Sequence, residues 1–261
     1  PGFLENAHDT EYLHQLRIAL RRLHTGVLLM KSLGQTPPEW NQSLRESIHA
    51  LSPARDWDVF LHETLPEILT VLQASSGNTS VEDTVLALIQ DTARHARQRA
   101  QTALLKPAFT QLVLDIGRSL LVTPTDIPIR NTKIWAEAIL EKRWQKLRKH
   151  CHGFARLDPT ECHKARIATK KMRYAMEAFA PLYGKHVDHF IAALAALQDE
   201  LGHENDTRIG MQLLRKLPKQ STTLSFDLGR LSGALESEAT QRAHLSSTAW
   251  KRLVRSKLFW Q

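Results

Sequence analysis

Hydrophobic positions recur at three- and four-residue steps along almost the whole chain, and strict alternation never lasts long enough to make a strand. The pattern predicts an all-α protein. A first helix starts near Asp9 or Thr10 and ends before Gly34. Thr36-Pro37-Pro38-Glu39 offers a cap residue, a proline for the first helical position and an acid for the first turn, so a second helix should begin there. Ser52-Pro53 restarts a helix that runs to about Leu72. Gln73 to Ser80 reads as a polar loop, with capping-box spacings from Thr79 and Ser80. A long helix follows, broken at Lys106-Pro107 and ending near Val122. Thr123 to Asn131 holds two prolines and no periodicity, which marks a linker. Helices are then expected over Thr132 to His150, from Asp158-Pro159-Thr160-Glu161 to Tyr183, and over His186 to Leu201, Asn205 to Leu217 and Ser225 to Phe259.

The pattern repeats itself. "HQLRIALRRLH" (His14 to His24) returns as "HKARIATKKMR" (His163 to Arg173). Leu51, Asp56 and Val59 of "ALSPARDWDVF" return at nearly the same offset as Leu201, Asp206 and Ile209. Duplication is the simplest account. It predicts two helical bundles related by a pseudo-two-fold axis within a single domain spanning 1–261, a first repeat over 1–125 and a second over 131–261.

Charge changes the picture next. The 261 residues are 42% hydrophobic, enough for a core, and carry a formal net charge of +8. That excess favours polyanions: nucleic acid, polyphosphate or an anionic membrane surface. On a helical projection with His14 at zero, Arg21, Arg17 and His24 lie within about 80° of it on one side. Leu16, Leu20, Leu23, Val27 and Met30 occupy the far face, about 160° to 240° round. His163, Lys170, Arg166 and Arg173 repeat the stripe, while Arg22 and Lys171 sit off to one side. A solvated face normally mixes signs in i,i+4 pairs. Here no acid interrupts His14 to Met30, nor His163 to Met176. Like charges at this spacing repel, so their repetition points to a partner that neutralises them.

H-x-x-R-x-x-x-R-R from His14 and L-S-P-A-R-D-W-D-V from Leu51 resemble the first-repeat signatures of the CHAD family, the conserved histidine α-helical domain. H-x-x-R-x-x-x-K-K-x-R-Y from His163 and L-Q-D-E-L-G-x-x-x-D from Leu197 resemble the second. The resemblance covers essentially the whole chain in order. It implies binding of inorganic polyphosphate in a basic groove or channel, without catalysis, and targeting to polyphosphate granules in the cytoplasm. By that resemblance the ligand-facing residues are His14, Arg17, Arg21, Arg22, Arg55, His163, Arg166, Lys170, Lys171 and Arg173. Ser52 stands where the family often has glycine, and Asn205 replaces the counterpart of Arg55, so the two halves are expected to contribute unequally. His24, Arg143, Arg148 and Lys149 are secondary candidates that could extend the track. The family often accompanies a CYTH triphosphatase domain, a companion expected here fused or associated. The chain begins at Pro1, and we expect it to be a piece of a longer or processed protein.

Sharper chemistry is less well supported. Cys151-His152 and Cys162-His163 lack the tight ligand spacing of zinc modules, so no metal or other cofactor is expected. Two cysteines make no disulfide framework. A phosphatase or phosphotransferase using His14 or His163 is one alternative, but no Gly-rich phosphate loop is present. A nucleic-acid-binding helical module is the other. It would want aromatics interleaved with the basic stripes, and only Tyr174 lies beside one. Asp56, Asp58 and Asp206 are expected to orient arginines or cap helices. No run is long and apolar enough to span a bilayer.

Overall fold

The structure, a computed structural model, describes residues 9–32, 34–76, 81–122, 132–218 and 221–260. Among these every regular element is helical. In chain order they are α1 (Thr10–Ser32), α2 (Asn41–Ala50), α3 (Ser52–Val59), α4 (Leu65–Ser76), α5 (Asp83–Leu104), α6 (Pro107–Val122), α7 (Thr132–His150), α8 (Pro159–Phe179), α9 (Asp188–Lys216) and α10 (Thr222–Val254). The expected linker over 123–131 and the caps at Thr79 and Ser80 lie outside the described residues. Among those residues no helix is long and apolar enough to cross a membrane.

Most starts follow their local chemistry. Asp158 caps α8 by accepting from the backbone of Thr160 at 2.7 Å and of Glu161 at 2.8 Å, and Glu161 accepts in return from the Asp158 N–H. Pro107 opens α6 and so sets the break after α5. Three expectations need correction. α2 begins at Asn41, not at the Pro-Pro pair, because the Pro38 carbonyl accepts from the Asn41 N–H in a turn that precedes the helix. The segments 186–201 and 205–217 form one continuous helix, α9; a single helical glycine, Gly202, costs only about 1 kcal/mol and does not break it. A widened π-helical turn over Phe60–Thr64 joins α3 to α4 where plain helix was expected.

The chain forms two compact units. They do not follow the chain halves: Asp206–Ala239 packs in the first unit and Leu28–Thr36 in the second. In the first unit, Leu13 and Leu20 of α1 meet Leu44, Leu51, Ala54, Ala100 and Leu112. A second cluster there joins Trp57 and Phe60 to Val85, Ile89, Ala93 and Ala96 of α5, and to Leu213, Leu228, Leu231 and Leu235. Small residues at Ala93, Ala96 and Ala100 run down one face of α5. Asp227 of α10 accepts from the Glu82 N–H at 2.8 Å, serving the start of α5. The second unit packs α7 beside α8 around Trp144, Leu147, Met172, Met176, Phe190 and Leu197. Trp144 meets Phe190 edge-on, and Trp260 packs on Phe190 with centroids 5.1 Å apart. The Trp260 indole donates to Glu141 at 3.1 Å, so the aromatic end of the chain is tied to α7.

Gly210 of α9 faces the π-turn. A Cβ there would lie 2.9 Å from Cδ2 of the buried Phe60 ring, whereas one at Gly233 meets nothing within 4 Å. Overpacking of this kind costs about 1–3 kcal/mol, which exceeds the helix-propensity gain of alanine. Gly210→Ala should therefore lower stability by about 1 kcal/mol, and Gly233→Ala should raise it by up to about 1 kcal/mol. Urea denaturation of the two variants checks the contrast.

Candidate anion-binding surfaces

In the first unit, α1 carries His14, Arg21 and His24 half-buried and Arg22 exposed. Arg17 is placed differently from its neighbours: it is only 5% exposed. Its Nη1 donates to the Ile48 carbonyl at 3.1 Å and to Ser52 Oγ at 3.0 Å, and Ser52 Oγ itself donates to the same carbonyl at 2.9 Å. Arg17 thus closes the last turn of α2. Burial, with Arg21 next in effect, pulls its guanidinium down to about 10. The reason lies in the rotation of α1. Leu13, Arg17, Leu20 and Val27 are its buried residues, while Leu16 and Leu23 are only half-covered. The buried face is turned by roughly 50° towards Arg17 relative to the apolar stripe read from the sequence.

Carboxylates reach into this surface from α3 and the π-turn. Arg55 donates to Glu63 at 3.1 Å. Asp58, 1% exposed, accepts from Arg97 Nε of α5 at 2.6 Å. Burial raises the Asp58 carboxyl even against the bond and the charge of Arg97. Burial also lowers His14, followed by the charge of Arg55. The first unit therefore interleaves its arginines with acids, and Asp58 orients an arginine as its type and position led us to expect. Arg97 belongs to the basic string Ala93 to Ala100, a weaker candidate for extending the track, and was not expected as the partner of Asp58. Only the packing of α3 on α5 brings it to Asp58.

In the second unit the cations of α8 divide between two flanks of the helix. His163 is exposed, and Arg166, Lys170 and Arg173 are half-buried along one flank of α8. Arg173 donates to Glu177 of its own helix at 2.8 Å. Lys164 and Lys171 lie on the other flank, facing α7. Together with Arg143, Lys146 and His150 of α7, and with Ile167 and Ala168, they line a cleft of about 150 Å³. Among the described residues no carboxylate lines it. Burial lowers Arg143. Burial, then Arg143 and Lys146, lowers Lys171. Burial, then Lys146 and Lys164, lowers His150. Cations that depress one another across a shared cleft are held against their own repulsion, and an anion seated among them would relieve it.

Lys146 belongs to the same basic run of α7 as the secondary candidates, whereas His150 and Lys164 were not among the predicted site residues. Their signal is the spacing 143, 146, 150 on α7 against 164 and 171 on α8, which becomes informative only once the two helices are known to pack together. The secondary candidates divide: Arg143 joins this cleft, while Arg148 and Lys149 face a different one with Arg156 and Lys251. Asn205, the counterpart of Arg55, is buried.

Comparison with known proteins agrees with the helical architecture. The family model of the CHAD domain matches residues 1–215. The crystal structure of the CHAD domain from the plant Ricinus communis is similar with a TM-score of 0.79 at 30% identity, covering 98% of this chain and 85% of that one. PptA from Streptomyces chartreusis shares the fold with a TM-score of 0.62 at 20% identity, covering 94% and 91% of the two chains. No curated protein sequence matches. An all-helical chain with paired basic helices and a family match over most of its length is a CHAD-domain protein: the chain belongs to that family.

Two outcomes follow from these environments. Arg17→Ala removes a buried guanidinium and its charged hydrogen bonds to the Ile48 carbonyl and Ser52 and should cost on the order of 2 kcal/mol, while Arg21→Ala should stay within about 0.5 kcal/mol of the parent; chemical denaturation separates them. His14 and His150 are both lowered from 6.5, so without ligand the folded chain binds fewer protons than the unfolded one. Their contribution to stability is present above about pH 6.5 and is lost as pH falls through that region. A bound polyanion reverses the sign at these groups by favouring the imidazolium. Melting temperature measured from pH 7.5 to 5.5 should therefore fall without polyphosphate and fall less, or rise, with it.

Proposed function

We propose that this protein binds inorganic polyphosphate on its basic helical surfaces without transforming it, and that this binding carries it to polyphosphate granules. The observation that carries the reading is the cleft of Arg143, Lys146, His150, Lys164 and Lys171, with no carboxylate among its described lining residues. Membership of the CHAD family supports the same reading. Inorganic polyphosphate presents about one charge per phosphate and nothing else, and this cleft offers charge and donors with no aromatic platform beyond the His150 ring. Arginine adds a fork matched to phosphate oxygens, and lysine adds a compact point charge. The first unit contributes through His14, Arg21, Arg22 and Arg55, with Arg17 as a support rather than a contact.

Nucleic acid is the weaker partner in this scheme, since among the cleft's described lining residues His150 is the one ring and no Phe, Tyr or Trp joins it. A CYTH triphosphatase companion would supply the hydrolytic step that we do not assign to this chain.

Calorimetric titration tests the proposal with long-chain polyphosphate, tripolyphosphate and duplex DNA at low and high salt. Long-chain polyphosphate should bind tightest and displace DNA, with affinity falling linearly in log salt. Lys146→Ala with Lys171→Ala should weaken it by tenfold or more and shallow the salt slope by roughly one to two, with helicity unchanged. Equal binding of every polyanion, or indifference to the double substitution, would sink the reading. Incubation with polyphosphate and Mg²⁺ should release no phosphate. Release abolished by His14→Ala or His163→Ala would replace binding with catalysis.

A further inference from the structure

A second cleft in the same unit has a different composition. It measures about 940 Å³ and opens between α7 and α10. Gln145, Arg148 and Lys149 line it from α7, and His152 continues that face beyond the helix end. Ser247, Trp250, Lys251 and Val254 line it from α10, again at steps of three and four. The turn from Gly153 to Arg156 closes the third side. Gly153 takes a left-handed φ of 67°, a conformation that disfavours a side chain. The turn it permits sends Phe154 inward and leaves Arg156 on the rim.

The rim is cationic. Arg148, Lys149, Arg156 and Lys251 are all exposed, and among the described residues no carboxylate lines the cleft. The floor is aromatic. Phe154 and Trp250 stack with their rings 19° from parallel and centroids 6.2 Å apart, backed by Trp144 at 6.0 Å from Trp250. A bare phosphate chain gains from such a rim and nothing from such a floor. A ligand with a flat heterocycle and a phosphate tail gains from both, since base stacking on an aromatic is worth about 1–3 kcal/mol. The volume lies in the range of small-molecule and cofactor sites.

We propose that this cleft binds a nucleoside triphosphate, its base on the Trp250–Phe154 platform and its phosphates on Arg148, Lys149, Arg156 and Lys251. The proposal does not depend on the polyphosphate reading, which rests on the cleft between α7 and α8.

The test titrates the full chain with ATP, with tripolyphosphate as the base-free control, following both heat and tryptophan fluorescence. ATP should bind at least tenfold more tightly than tripolyphosphate and quench tryptophan emission, which tripolyphosphate should not. Arg156→Ala with Lys251→Ala should weaken ATP at least tenfold and leave long-chain polyphosphate affinity within threefold. Lys146→Ala with Lys171→Ala should leave ATP affinity unchanged. Circular dichroism confirms folding, and both truncated side chains are exposed. Equal affinity for ATP and tripolyphosphate would overturn the proposal, as would ATP binding that survives Arg156→Ala with Lys251→Ala or disappears with Lys146→Ala and Lys171→Ala.

Discussion

Repulsion between like charges on a helical surface is the constraint around which this molecule is arranged. Each unit must bury enough apolar area to hold cations closer together than they would stand in water. The second unit meets that demand with an aromatic core. Trp144, Phe190, Phe259 and Trp260 pack in edge-on contacts with centroids between 5.0 and 6.4 Å, and Leu147 and Met172 fill the layer beneath the facing cations of α7 and α8. Aromatic side chains bury the most area per residue and add geometric preference to it. A rigid floor of this kind keeps the cations from relaxing apart: burial lowers Arg143, and burial with the charges of Arg143 and Lys146 lowers Lys171.

The first unit answers the same constraint differently. It places Asp58 and Glu63 among its arginines, and it withdraws Arg17 from the surface altogether. Ser52 is central to that withdrawal. Its hydroxyl accepts from Arg17 and donates to the Ile48 carbonyl, so one side chain joins the guanidinium, the end of α2 and the start of α3. The position 150 residues on, where the sequence pattern led us to expect its counterpart, is Gly202, which has no hydroxyl to offer, and Arg166 is half-buried rather than buried. A buried arginine is costly unless its donors are satisfied, and Ser52 supplies one of the acceptors. Arg17 and Arg166, on helices with a similar basic pattern, are thus buried to different extents because their neighbours differ.

Much of this was legible in the residues. Asp158 and Glu161 announce the start of α8, Pro107 the break after α5, and the three-four periodicity the all-helical class. The acid-free stripes were legible as well. What was not legible depends on which helix packs where. A helix has one apolar stripe in sequence, but its buried face is set by its neighbours; α1 turned enough to bury Arg17 and to uncover Leu16 and Leu23. The basic run at the end of α7 reads as one patch on paper. In space its residues point to two clefts, because Arg143, Lys146 and His150 stand on one side of the helix and Gln145, Arg148 and Lys149 on another. The π-turn at Phe60–Thr64 left no mark in the hydrophobic pattern, and Gly210, which makes room for it, lies 150 positions away in the chain.

The two clefts on α7 share a helix and a sign of charge, yet their walls select different chemistry. One is closed by Ile167 and Ala168 between cations, too small and too plain to reward anything but a charged chain passing through. The other is several times larger and floored by stacked rings. Electrostatic attraction alone would draw the same anions to both, since charge sets the strength of encounter more than the identity of the partner. Discrimination must therefore come from what surrounds the charge. An anion that leaves an aromatic floor wet forgoes the burial that the larger cleft offers, and a base that cannot enter the smaller one gains only its phosphate contacts there. Side chains on opposite sides of one helix can in this way sort polyanions that net charge cannot tell apart.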